Sequence, residues 1–111
     1  MQQVDVTALQ DFVAQRATSS PVLLDVREPW EVALGRIDIA GARSMAIPMN
    51  EIPGRLGEID RSDTIVCICH HGMRSAQVAN FLERQGYSSV FNLSGGTDAW
   101  STQVDPQLPR Y

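Results

Sequence analysis

Residues 64–75 read Thr64-Ile65-Val66-Cys67-Ile68-Cys69-His70-His71-Gly72-Met73-Arg74-Ser75. Thr64 to Ile68 is a short run dominated by β-branched and apolar residues, the pattern of a strand buried on both faces. Ala76 to Gln85 follows with apolar residues at helical spacing, so the chain passes from strand through a glycine loop into a helix. Cys69 stands where the strand stops. Gly72 permits a positive φ, which turns successive loop N–H groups inward as an anion nest. The helix opening near Met73 adds partial positive charge, Arg74 a guanidinium and Ser75 a hydroxyl donor. Thiolates are favoured at helix N-termini and beside cations, so Cys69 is the candidate nucleophile. Cys67 lies inside the strand and is expected to be a buried, inert thiol.

Outward from this stretch, strands and helices alternate. Val4-Asp5-Val6 is a short extended start, and Thr7 is the expected N-cap of a helix carrying Leu9, Phe12 and Val13. Thr18-Ser19-Ser20-Pro21 breaks that helix. Val22-Leu23-Leu24-Asp25-Val26 is a second buried strand, with Asp25 and Arg27 at its end. Glu28 to Leu34 reads as a short helix with Pro29 in its first turn, closed by Gly35. Arg36 to Gly41 has no clear pattern. Ala42 to Ile47 is a weaker strand stopped by Pro48, and Asn50 to Leu56 a helical turn or two. Gly86 is placed to cap the main helix. Ser89 to Leu93 is a fifth strand, and Ser94-Gly95-Gly96-Thr97 turns into a last helix through Trp100, expected in the core.

This alternation predicts an α/β fold: a five-stranded, mostly parallel sheet with helices on both faces. The 111 residues suit a single domain over 1–111, with residues 103–111 as an extended tail carrying Pro106 and Pro109. Ligands of such sheets bind beyond the carboxyl ends of the strands. That edge collects the Cys69 loop, Asp25 to Glu28, and Gly95-Gly96. Asp25 and Arg27 are expected to pair and pin the strand end in support of the loop.

Composition excludes several classes. An apolar fraction of 43% gives a real core. The net charge of -4, with nine arginines and no lysine, argues against nucleic acid or anionic lipid as partner and excludes Schiff-base chemistry. No apolar run approaches the ~20 residues of a membrane span. Met1 to Asp5 shows no secretory pattern, so a cytoplasmic location is expected. Cys67 and Cys69 are too close for an unstrained bridge. Cys67, Cys69, His70 and His71 crowd one turn, whereas zinc ligands come as spaced pairs far apart, so no metal is expected. One imidazole at the rim of the pocket, or plain exposure of both, are the readings for His70 and His71.

In this setting the chain resembles the rhodanese-like domains. Leu24-Asp25-Val26-Arg27-Glu28 is similar to their strand-end signature, and Cys69-His70-His71-Gly72-Met73-Arg74-Ser75 to their active loop. Asn92-Leu93-Ser94-Gly95-Gly96 with Ala99-Trp100 is similar to their last strand and turn. The resemblance implies a sulfurtransferase in which Cys69 takes a sulfane sulfur from a small anionic donor such as thiosulfate, becomes a persulfide and passes it to cyanide, a thiol or a protein acceptor. His70, His71, Gly72, Met73, Arg74 and Ser75 then cradle the persulfide, and no cofactor is implied. Related phosphatases and arsenate reductases carry a loop one residue longer; the shorter span from Cys69 to Arg74 favours sulfur. A phosphatase or arsenate reductase, or a non-enzymatic docking module, are the alternatives. The chain departs from the family's Gly-His-Ile-Pro-Gly-Ala at Gly35-Arg36-Ile37-Asp38-Ile39-Ala40-Gly41-Ala42, which leaves the path of that connection open.

Overall fold

The computed structural model describes residues 1–111. Five strands, β1 (Gln2–Asp5), β2 (Val22–Asp25), β3 (Arg43–Ala46), β4 (Ile65–Ile68) and β5 (Val90–Ser94), alternate with α1 (Leu9–Ala14), α2 (Pro29–Leu34), α3 (Met73–Arg84) and α4 (Gly96–Gln103). They form one sheet in the order β1-β5-β4-β2-β3. Every pairing is parallel, so the sheet is wholly rather than mostly parallel.

Side-chain alternation along the strands builds two apolar layers. Ile65 and Cys67 of β4, with Val22 and Leu24 of β2, pack on Val78, Ala79 and Leu82 of α3. Val66 and Ile68, with Leu23 and Leu93, pack on Leu9 and Val13 of α1 and on Trp100 of α4. Both faces are covered, which is why β2 and β4 read as unbroken apolar runs. β3, at the edge, is largely exposed, in keeping with its weaker sequence signal.

One local expectation changes, and the structure fills in two segments whose course was open. Thr7 does not cap the first helix. A 3-10 turn over Val6–Ala8 precedes α1, and Asp5 caps that turn, accepting the Thr7 N–H at 2.9 Å and hydroxyl at 2.7 Å, while α1 itself opens after Ala8 with no side-chain cap. The connection from Arg36 to Gly41 follows an irregular path held by Ile37, which is buried, and by Asp38, which accepts from Arg36 and Ser44. The segment 104–111 runs over the surface without helix or strand and is anchored at Leu108 and Tyr111. Gln103 belongs to α4, Leu108 enters the apolar layer beneath α4, and Tyr111 reaches the carboxyl edge of the sheet. Buried area at Leu108 and hydrogen bonds at Tyr111 offset the entropy of ordering it.

Gly86 does close α3. Its N–H donates to Glu83 O and the Tyr87 N–H to Leu82 O, the paired bonds of a Schellman motif. No helix is long and apolar enough to cross a membrane.

Candidate active site

β4 is the middle strand, and the chain departs from it to β5 on one side and lies beside β2 on the other. The loops after β2, β4 and β5 therefore meet at one edge, the place where ligands bind in parallel sheets. Cys69 lies just past β4 and is 1% exposed. Its Sγ receives the Gly72 N–H at 3.0 Å and the Ser75 hydroxyl at 3.2 Å. Gly72 stands at φ 99° as the N-cap of α3, a conformation that favours glycine, and an added Cβ would press on the backbone of Gly95 and Leu93 at 3.2 and 3.3 Å. The first-turn N–H groups of Met73, Arg74 and Ser75 have no intrahelical acceptor, so the sulfur lies at a donor-rich helix end.

Ser75 is fully buried and its hydroxyl also lies 2.5 Å from Asn92 Oδ1. One proton serves two acceptors. The Asn92 amide donates to Gly72 O and to Gln3 Oε1, both at 3.0 Å, which ties the loop to β5 and β1. A second helix end grips the loop from outside. Thr97 and Asp98, in the first turn of α4, donate N–H bonds to the carbonyls of Cys69 and His70 at 2.9 and 3.0 Å. The turn through Gly95-Gly96 thus acts on the loop itself.

Arg74 is engaged differently from the sequence expectation. Its guanidinium forms a bidentate pair with Glu31 of α2, at 2.7 and 2.9 Å, so its charge is offset by a carboxylate rather than left for the sulfur. Asp25 and Arg27 pair as expected, at 2.7 Å and buried, and Arg27 also donates to Gly35 O and Glu31 O. Of the two imidazoles, His70 borders the site and His71 is exposed. The His70 ring stacks on Tyr111 with centroids 3.9 Å apart, and its Nε2 is buried without a hydrogen-bond partner, 4.0 Å from Asp98. Burial, reinforced by His71, lowers the His70 pKa. Cys67 is fully buried, and desolvation pushes its thiol far above the ordinary range. Trp100 lies in the core.

Glu31, Asn92 and Tyr111 were not singled out as site residues by sequence reasoning. Asn92 left a trace, a lone amide inside the apolar strand Val90-Phe91-Asn92-Leu93. Glu31 lies in the first turn of α2 and accepts the Glu28 N–H at 3.0 Å, a local cap that gives no sign of its bond to Arg74. Tyr111 left no local signal.

Glu31 gives the site an acid-sensitive tie. The hydrogen bonds from Arg74 hold its carboxyl down at about 2, against burial, with help from the Glu28 N–H and the Tyr111 hydroxyl. Its stabilisation is complete above the unfolded carboxyl pKa of roughly 4.3 and is lost as pH falls through about 2. Because Arg74 is partly exposed, the contribution is set at about 2 kcal/mol. Denaturant midpoints measured from pH 7 to 2.5 should fall less steeply for Glu31→Gln than for the wild type; parallel acid limbs would contradict this.

Comparisons with known proteins match the chain to one family and its fold. The rhodanese-like domain model matches residues 8–103. A sulfurtransferase of Allochromatium vinosum is 37% identical over 99 residues, 89% of this chain and 87% of that protein. YtwF of Bacillus subtilis is 34% identical over 107 residues, 96% of this chain and 97% of that one. A rhodanese-like domain protein from Staphylococcus aureus superposes with a TM-score of 0.78 at 30% identity, covering 100% of this chain and 99% of its own. The chain belongs to the rhodanese-like family of sulfurtransferases.

Proposed function

We propose that the protein transfers a sulfane sulfur through a persulfide on Cys69. The Cys69 thiolate attacks the outer sulfur of a donor such as thiosulfate. A new S–S bond forms, the donor's S–S bond breaks, and sulfite leaves with the electron pair. The acceptor, cyanide or a thiolate, then attacks the outer sulfur of the persulfide; the Cys69 S–S bond breaks and the thiolate is restored. The observation that carries this reading is the pair of donors on Cys69 Sγ, Gly72 N–H and Ser75 hydroxyl, at the N-terminus of α3. The remaining first-turn N–H groups are suited to the negative charge on the outer sulfur. His70 to Ser75 form the cradle, and the Asp25–Arg27 pair supports it from β2.

The span of six residues from Cys69 to Arg74 counts against phosphatase or arsenate reductase chemistry, since the related enzymes of that kind carry a loop one residue longer, with room for a tetrahedral oxyanion. Mass spectrometry after incubation with thiosulfate is expected to show a single sulfur added at Cys69, released by cyanide as thiocyanate. Cys67→Ser should keep the adduct and Cys69→Ser should lose it. No adduct on the wild type, or one that survives Cys69→Ser, sinks the reading.

A further inference from the structure

Residues 104–111 lie beyond those matched to the family model, and they fold back onto the site. Their course is anchored step by step. Ser101 Oγ donates to Leu108 O at 2.6 Å, and Leu108 is buried in the apolar layer of Trp100. Leu108 and Pro109 press so closely on Gly35 that an added Cβ there meets both at 3.0 Å. Arg110 pairs with Asp98 of α4 at 2.9 Å.

These anchors deliver Tyr111 to the junction of three elements. Its ring stacks on His70 of the cysteine loop, at 3.9 Å and 10° between planes, and meets Trp30 of α2 edge-on at 5.8 Å. Its hydroxyl donates to Glu31 Oε2 at 2.8 Å and accepts from Arg27 Nη1 at 3.0 Å. The same Glu31 oxygen accepts from Arg74 Nη2. One side chain thus joins the Asp25–Arg27 pair, the Glu31–Arg74 pair and the His70 ring.

Resting on the sulfur-transfer reading, we infer that Tyr111 is a positioning residue: its ring and hydroxyl set His70 and the Glu31–Arg74 pair at the rim of the Cys69 loop. The hydrogen bonds on Cys69 Sγ come from Gly72 and Ser75, and Tyr111 bonds to neither. Its influence falls on how the donor molecule is received at the rim, not on the sulfur chemistry beneath. It acts through a stacked ring on one side and a charge-assisted hydrogen bond on the other, and the two are separable by substitution.

The test uses the full chain carrying Tyr111→Ala or Tyr111→Phe. Thiocyanate release is measured against thiosulfate concentration, and the His70 imidazole is titrated by NMR. Loss of a stacked pair predicts a thiosulfate KM about three- to tenfold higher in Tyr111→Ala, with kcat within about twofold. Tyr111→Phe keeps the ring and should recover most of that change.

The groups facing His70 are His71, Asp98, Glu31, Arg74 and Tyr111 itself. Burial is the largest influence lowering its pKa, so opening the rim in Tyr111→Ala should raise the His70 midpoint and Tyr111→Phe should leave it near wild type. A KM and a His70 midpoint both unchanged in Tyr111→Ala overturn the inference. So does a joint loss of kcat, KM and thermal stability that Phe does not rescue, which is the mark of a fold defect alone. Wild-type protein that never loads sulfur on Cys69 removes the reaction itself. That outcome is told apart because the NMR titration needs no turnover.

Discussion

Asp25→Ala should destabilise the fold by about 3–5 kcal/mol, the cost of stranding a buried charge. Arg27 is 1% exposed and Asp25 accepts from its Nε and Nη2. Without the carboxylate, the guanidinium keeps Gly35 O, Glu31 O and the Tyr111 hydroxyl, all neutral partners. Those bonds do not replace a counter-charge for a guanidinium that is almost wholly buried. The loss is a large share of the 5–15 kcal/mol that holds a typical domain. Denaturant unfolding at pH 7 measures it, and a change under about 1 kcal/mol would show that the pair is dispensable. Asp25→Ala combined with Arg27→Met should recover much of the loss, because an apolar pair carries no desolvation penalty. The double variant is expected to remain slow in sulfur transfer, since Arg27 also places Tyr111 and the end of α2 beside the loop.

The second large effect is expected at Gly96. It stands at φ 60°, and a Cβ there would run into the carbonyl oxygens of Cys69 and His70. These oxygens accept the Thr97 and Asp98 N–H bonds, so they cannot move without breaking the grip of α4 on the loop. The left-handed conformation costs a Cβ-bearing residue about 1–2 kcal/mol, and overpacking adds about 1–3 kcal/mol. Gly96→Ala should therefore lose about 2–5 kcal/mol and, unlike most destabilising changes, should also cut kcat in the part that stays folded. Gly54→Ala is the matched control. Nothing lies within 4 Å of a Cβ there, and its stability should shift by no more than about 0.5 kcal/mol. Wild-type stability and turnover in Gly96→Ala would mean that the loop tolerates displacement of its carbonyls.

What could be read from the sequence follows from the range of the interactions. The buried strands showed as apolar runs because both faces are covered by helices. The break at Gly72 and the opening of α3 showed because turn and helix preferences act within a few residues. The Asp25–Arg27 pair spans only two positions, so it too was visible. Thr7 was not the cap because a 3-10 turn over Val6–Ala8 encloses it and takes Asp5 as its own cap. The prolines of the tail signal extension but not direction; the landing site of Leu108 is created by Trp100 and Gly35, outside the tail itself.

By itself, then, the sequence determined the parallel α/β fold, the edge at which its loops gather and the cysteine at their centre, since each rests on local pattern. Only the tertiary structure decided how that cysteine is surrounded. Ser75 meets Asn92 across 17 positions, Arg74 meets Glu31 across 43, and Tyr111 meets Glu31 across 80. No preference of the intervening chain encodes such meetings. They arise because a parallel sheet brings the ends of β2, β4 and β5 to one edge, where charges removed from water must find each other.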